Sequence, residues 1–150
     1  MSNEMAKPEA ILDLTVPPQP HLSRAVRKGV GEFAGAHGVG EDDLTHFLTA
    51  IGEALANAIE HARSQDAIEI EVRIGADRIV GTVHDNGVGF RTESLAEGNP
   101  ADIATERGRG LPIMRRCSDI FSLHSVPGEG TAVVVGRYLR SKSASKTNVA

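Results

Sequence analysis

The chain reads as an α+β protein: one domain, a two-layer α/β sandwich in which helices cover one face of a mixed, mostly antiparallel sheet. Three observations predict this. Two segments with the apolar period of amphipathic helices follow a short alternating segment. AIEIEVRI at 67–74 and RIVGTVHD at 78–85 alternate on either side of the turn Gly75-Ala76-Asp77. A second pair of strand-like segments closes the chain.

Residues 11–16 place Leu12, Leu14 and Val16 on one side before Pro17-Pro18 stop them, as suits an edge strand. Leu22, Val26, Val30 and Phe33 recur at helical spacing over about residues 21–36, where Gly29 and Gly31 weaken the helix. A second helix runs from Glu41-Asp42-Asp43, an N-cap with favourable charge at the positive helix end, to about Arg63. A helix turns about 100° per residue, so Leu44, Leu48, Ile51, Leu55, Ile59 and Ala62 cluster within roughly 80° as its expected core stripe. In the next strand Ile68, Ile70, Val72 and Ile74 fall on one face and Glu69, Glu71 and Arg73 on the other, predicting a sheet with one wet face. Residues 91–107 have no period and hold Gly98, Asn99 and Pro100, as a long mobile loop would. A short helix over about 111–117 and strands near 119–126 and 130–139, joined by Pro127-Gly128-Glu129-Gly130, complete the pattern. Residues 1–10 are expected to form a flexible N-terminus, 11–140 the domain and 141–150 a disordered polar tail.

Composition excludes several function classes. A chain of 150 residues holds one core and leaves no space for a second catalytic domain. Hydrophobic residues at 40% and charged residues at 24% suit a soluble globular protein, and aromatics at 3% leave the core to Val, Ile, Leu and Ala. No apolar run reaches the length of a membrane span and MSNEMAKPEA lacks a signal-peptide pattern, so a cytoplasmic protein without a membrane partner is expected. The net charge of −4, with no basic stripe interleaved with aromatics, argues against nucleic acid. Cys117, the single cysteine, has no disulfide or zinc partner and is expected to be a small buried core residue.

Four motifs carry candidate chemistry. In IGEALANAIEHA, Glu53, Asn57 and His61 stand at successive i, i+4 positions, roughly 150° from the predicted apolar stripe, with Ala50 and Ala54 beside them. That face is either wet or lines a site. The second hairpin strand ends in His84-Asp85-Asn86-Gly87-Val88-Gly89-Phe90. Asn86-Gly87 fits a type I′ turn, but the following RTESLAEGNPADIATERGRG does not alternate and offers no returning strand. The alternative makes Asp85 a buried acceptor, with Gly87 and Gly89 letting the backbone pass beneath a flat ligand. Gly108-Arg109-Gly110-Leu111-Pro112 opens a helix, where free N–H groups and the helix dipole suit a phosphate and Arg107 and Arg109 add positive charge. Gly130-Thr131 alone is an ordinary turn, Glu53 and Asn57 alone a solvated helix face, and His61 alone a helix-end histidine held by C-terminal carbonyls.

In their common order, ExxxN, DxGxG, GxG before a helix and GT in a late strand resemble the GHKL superfamily of ATPases and kinases over about residues 11–139, which implies its Bergerat fold. The resemblance implies that Asn57 holds Mg²⁺ against ATP phosphates, that Asp85 hydrogen-bonds the adenine amino group, and that Thr131 supports that contact. It implies a pocket and lid shaped by Gly87, Gly89, Gly108 and Gly110, with Leu111 beside them. Sensor histidine kinases usually lack the glutamate four residues before the asparagine, and the gyrase, MutL and heat-shock-chaperone branches carry long extra domains. EALANAIEHA, DNGVGF and ERGRGLPIMRRCSD look like the stand-alone anti-sigma-factor serine kinases of bacterial partner switching. That family implies ATP and Mg²⁺ as cofactors, Glu53 as catalytic base and Arg107 or Arg109 at the γ-phosphate. It also implies an anti-anti-sigma antagonist as substrate, a sigma factor as second partner and a homodimer. Two other readings are an ATP-gated module that sequesters a partner without phosphorylating it, and a detached domain that phosphorylates histidine in trans. Glu53 favours the serine kinase, since neither alternative needs a base.

Overall fold

The apolar alternation becomes a five-stranded sheet in a computed structural model that describes residues 9–61, 66–87 and 110–139. The strands are β1 (Ala10–Val16), β2 (Ile68–Ile74), β3 (Arg78–Asp85), β4 (Ile120–Val126) and β5 (Gly130–Tyr138), in the spatial order β1-β2-β3-β5-β4. Every described pairing is antiparallel, so no parallel pair of a mixed sheet occurs among the described residues. β1 is an edge strand, as the two prolines after it require. The alternation in β2 buries Ile68, Ile70, Val72 and Ile74 and exposes Glu69 and Arg73, giving one dry and one wet sheet face.

Among the described residues, three α-helices lie on the dry side of the sheet. α1 (Ser23–Ala36) is entered through a 3-10 turn at Pro20–Leu22, α2 (Glu41–His61) crosses β3 and β5, and α3 (Gly110–Arg116) packs on α2. The expected loop at 91–107, the end of α2 at Ala62 and Arg63, the first eight residues and the tail at 141–150 lie outside the described residues.

The core face of α2 is not the one the periodicity selects. Phe47, Ala50, Ile51, Ala54, Leu55 and Ala58 are buried, whereas Leu44, Leu48 and Ile59 are only partly so. The buried face is therefore turned by roughly 70° toward Glu53, Asn57 and His61. The reason is that α2 has two neighbours. α1 takes the leucine side, where a Cβ on Gly31 would lie 3.4 Å from Leu48 Cδ1. The sheet takes the phenylalanine and alanine side: a Cβ on Gly81 would lie 2.7 Å from Ile51 Cδ1 and 2.8 Å from Phe47 Cζ. Glycine in β3 and alanines in α2 let helix and sheet approach closely. The polar stripe consequently borders the core, where α3 meets it.

The acidic start of α2 also differs from expectation. Glu41, Asp42 and Asp43 all lie in the first turn, and the Leu44 N–H donates to the Gly40 carbonyl at 2.9 Å. Asp43 is 1% exposed and accepts from Arg137 Nε at 3.1 Å and Nη2 at 2.9 Å. Arg137 Nη1 donates to the Cys117 carbonyl at 3.3 Å. Asp43 is thus a buried tie between α2, β5 and the segment after α3. Cys117 itself is half-buried at the rim of the core, not inside it. Asp43→Ala should lower stability by about 3–5 kcal/mol in urea denaturation, because it strands the Arg137 charge. Asp43→Leu with Arg137→Met should recover most of that loss; equal destabilisation by both variants would show that the pair does not carry the effect.

Candidate functional site

The inward alternation of β3 runs Ile79, Gly81, Val83, Asp85, so the strand ends with a carboxylate where an aliphatic side chain would continue the core. The β3–β5 register sets Asp85 opposite Thr131, and each is 3% exposed. Gly130 makes this register possible. Its φ is +94°, and a Cβ there would collide with the Asp85 carbonyl oxygen and lie 3.0 Å from Asn86 Cα. Asp85 Oδ1 accepts the Gly87 N–H at 2.8 Å, which turns the chain away from the strand. That is the single hydrogen bond to its carboxylate among the described residues.

α2 supplies the facing wall. Asn57 lies with Ala54 and Ala58 across a crevice from Val83, Asp85, Thr131 and Val133, and Leu111 and Leu123 complete the lining. Three polar side chains, Asn57, Asp85 and Thr131, thus share a space with smooth aliphatic walls. Its cavity volume is about 10 Å³. Small-molecule pockets usually span roughly 300–1,000 Å³, so a nucleotide must widen the crevice or extend past these walls.

Glu53 is outside that lining but next to it. A Cβ on Gly110 would lie 3.1 Å from Glu53 Oε1 and 3.2 and 3.4 Å from Asn57 Nδ2 and Oδ1, so both side chains rest over the first residue of α3. The helix is held there by the buried Leu111 and Met114. His61, the last residue of α2, is half-buried, about 12 Å along the axis from Glu53, and does not line the crevice. Gly89, Arg107, Gly108 and Arg109 lie outside the described residues.

One contact has no counterpart among the sequence motifs. Ser125 of β4, 6% exposed, lies behind Thr131 with Oγ to Oγ1 at 2.7 Å and donates to the Gly130 carbonyl at 3.2 Å. The only hint is a serine at an inward position of an alternating strand. Among the described residues no three His, Cys, Asp or Glu side chains gather as a metal site. A hard cation here would instead need oxygens from its ligand together with the Asn57 amide oxygen, a donor set that suits Mg²⁺ bound to phosphates.

Residues 16–136 match the family described as "Histidine kinase-like ATPase domain". The chain is similar to "Serine-protein kinase RsbW" of Bacillus mycoides (strain KBAB4), 26% identical over 138 residues that cover 86% of this chain and 85% of that protein. It is similar also to the protein of that name from Bacillus cereus (strain AH187), 28% identical over 138 residues with the same coverage. Among solved structures, the RsbU and RsbW domains of Rv1364c from Mycobacterium tuberculosis share the fold. The TM-score is 0.67 and the identity 20%, over 87% of this chain and 33% of that one.

Gly110→Ala should press its methyl on Glu53 and Asn57 and weaken nucleotide binding by about tenfold or more, while the melting temperature changes little. Isothermal titration with ATP and Mg²⁺ checks this, and an unchanged affinity would show that the two side chains move aside freely.

Proposed function

The chain belongs to the histidine kinase-like ATPase domain family, and from that premise we propose that it is an ATP- and Mg²⁺-dependent serine/threonine-protein kinase acting as an anti-sigma factor. It would phosphorylate an anti-anti-sigma antagonist and sequester a sigma factor. The observation that carries this reading is the seating of Glu53 and Asn57 together over Gly110 while Asn57 shares a crevice with Asp85 and Thr131. The serine-protein kinases to which the chain is similar support the choice of acceptor.

In this reading the buried Asp85 carboxylate accepts a hydrogen bond from the adenine amino group, with Thr131 beside it, and the aliphatic walls exclude water from the ring. The Gly87 N–H holds Asp85 Oδ1 and leaves its second oxygen for the base. Asn57 presents its amide oxygen to the cation, which when bound neutralises charge developing on the phosphates. Glu53, next to Asn57, would take the proton of the acceptor serine hydroxyl as its oxygen bonds to the γ-phosphorus and the bond to ADP breaks, ADP leaving; base assistance of this kind is worth roughly 10²–10⁴-fold in rate. Arg107 and Arg109 are proposed to stand near the phosphates on the resemblance alone, as Gly89 and Gly108 are proposed to shape the pocket; His61, at the end of α2 and outside the crevice lining, is proposed to orient the helix end or a water near the phosphates. A homodimer is proposed on the resemblance too, and a cytoplasmic location on the sequence pattern; among the described residues no helix is long and apolar enough to cross a membrane.

The second reading, an ATP-gated module that only sequesters a partner, is disfavoured by Glu53, since binding needs no base beside the phosphates. Incubation with radiolabelled ATP and the candidate antagonist separates the readings. Acid-stable label supports the serine/threonine kinase, acid-labile label a histidine kinase, and no label the binding module. Asn57→Ala is expected to abolish Mg-ATP binding, and equilibrium dialysis with unchanged affinity would refute its role. Glu53→Ala should bind ATP normally yet lose phosphoryl transfer by about 10²-fold or more; labelling of the partner at the normal rate would remove Glu53 from the base position.

A further inference from the structure

Asp85, Thr131 and Ser125 form one transverse row on the inner sheet face, because the register pairs Asp85 with Thr131 across β3 and β5 and Thr131 with Ser125 across β5 and β4. Asp85 and Thr131 line the crevice; Ser125 does not. It stands behind Thr131, within 2.7 Å of its hydroxyl. A hydroxyl has one proton to give and two lone pairs with which to accept. The Gly130 carbonyl can only accept, so when Ser125 gives its proton there, at 3.2 Å, the 2.7 Å contact, in which either hydroxyl could donate, has Thr131 as its donor. Thr131 then turns only lone pairs toward the crevice. With the Asp85 carboxylate, which accepts the Gly87 N–H, beside it, that end of the crevice presents acceptors from these two side chains.

We propose that Ser125 is a positioning residue that sets the hydrogen-bond polarity of Thr131 and so makes the Asp85 end of the crevice selective for a 6-amino purine over a 6-oxo purine. The inference rests on the nucleotide reading of the site. An exocyclic amino group brings two N–H donors to two acceptors, whereas a 6-oxo group brings lone pairs against lone pairs and leaves buried acceptors unmatched, which is the costly kind of mismatch. Without the Ser125 hydroxyl, the Thr131 proton is released from its partner and can rotate toward the crevice, where it would donate to a 6-oxo group. Specificity at this position then relaxes although no residue lining the crevice has changed.

The test is the ratio of ATP to GTP affinity, measured by isothermal titration on the full chain with Mg²⁺, for the wild type, Ser125→Ala, Thr131→Val and the double variant. The wild type should prefer ATP. Ser125→Ala should lower that preference about tenfold, the scale of one mis-set hydrogen bond. In the Thr131→Val background the same replacement should leave the ratio unchanged within about twofold. A purely structural role would instead lower stability and weaken both nucleotides alike, leaving the ratio intact in either background, and that result would overturn the proposal. If Ser125→Ala does not fold, Ser125→Cys fills the same space with a weak hydrogen-bonding group and should lower the preference in the same direction; an unaltered ratio there overturns it too. Wild-type protein that binds neither nucleotide would overturn the nucleotide reading itself, and wild-type protein that binds both equally would overturn only the role of Ser125.

Discussion

The seat of α2 on Gly81 is the constraint from which the site follows. The helix comes down where β3 has no side chain, and Ile51 and Phe47 fill the space a Cβ would need. Packed interiors tolerate little extra volume, so the roll of α2 about its axis is settled by this contact and not by its own leucines. That roll brings Ala54 and Ala58 against the sheet and leaves Asn57 at the edge of the packed face, directed to the crevice that Asp85 and Thr131 also line. Glu53, one turn earlier, stays beside α3. Binding and chemistry in the proposed kinase thus divide between two sides of one helix turn.

The sheet contributes the other half through a second close approach. Gly130 lets the backbone of β5 begin against Asp85 and Asn86, and this fixes which residue of β5 faces the carboxylate. Buried polar groups are costly unless they are hydrogen-bonded, and here they are met within the row: Gly87 holds Asp85, and Ser125 holds Thr131. A row of aliphatics would pack as well and cost less. Its replacement by three polar side chains at the mouth of an otherwise apolar layer is a local departure from core patterning of the kind found where a ligand is bound.

Charge is used differently on the two sides of the sheet. On the wet face Arg73 joins Glu71 at 2.8 Å and Glu9 at 3.0 Å, and these carboxylates, Glu71 foremost, raise its pKa above the ordinary arginine value. Such exposed pairs contribute little to stability. Asp43 and Arg137 form their pair inside the protein, where neither charge can be left alone. The buried pair anchors the N-terminal end of α2 to β5, while Gly81 seats its middle, so the helix that carries Glu53 and Asn57 is held at two points.

Period, alternation and turn residues were enough, in the sequence alone, to determine the order of the strands and main helices among the described residues, because hydrophobic periodicity is local. β3 begins and ends where RIVGTVHD does, and α3 starts within one residue of its expected position. The ordered motifs also singled out Glu53, Asn57, Asp85, Gly110 and Thr131, which the fold gathers around one crevice and its edge. Only the tertiary structure decided which face of α2 is dry, since the leucine stripe that periodicity selects is shared between α1 and the sheet. Only it could reveal Asp43 with Arg137 and Ser125 with Thr131. Each pair joins elements brought together by folding, and residues that meet across a sheet or between a helix and a distant strand leave no mark in local spacing.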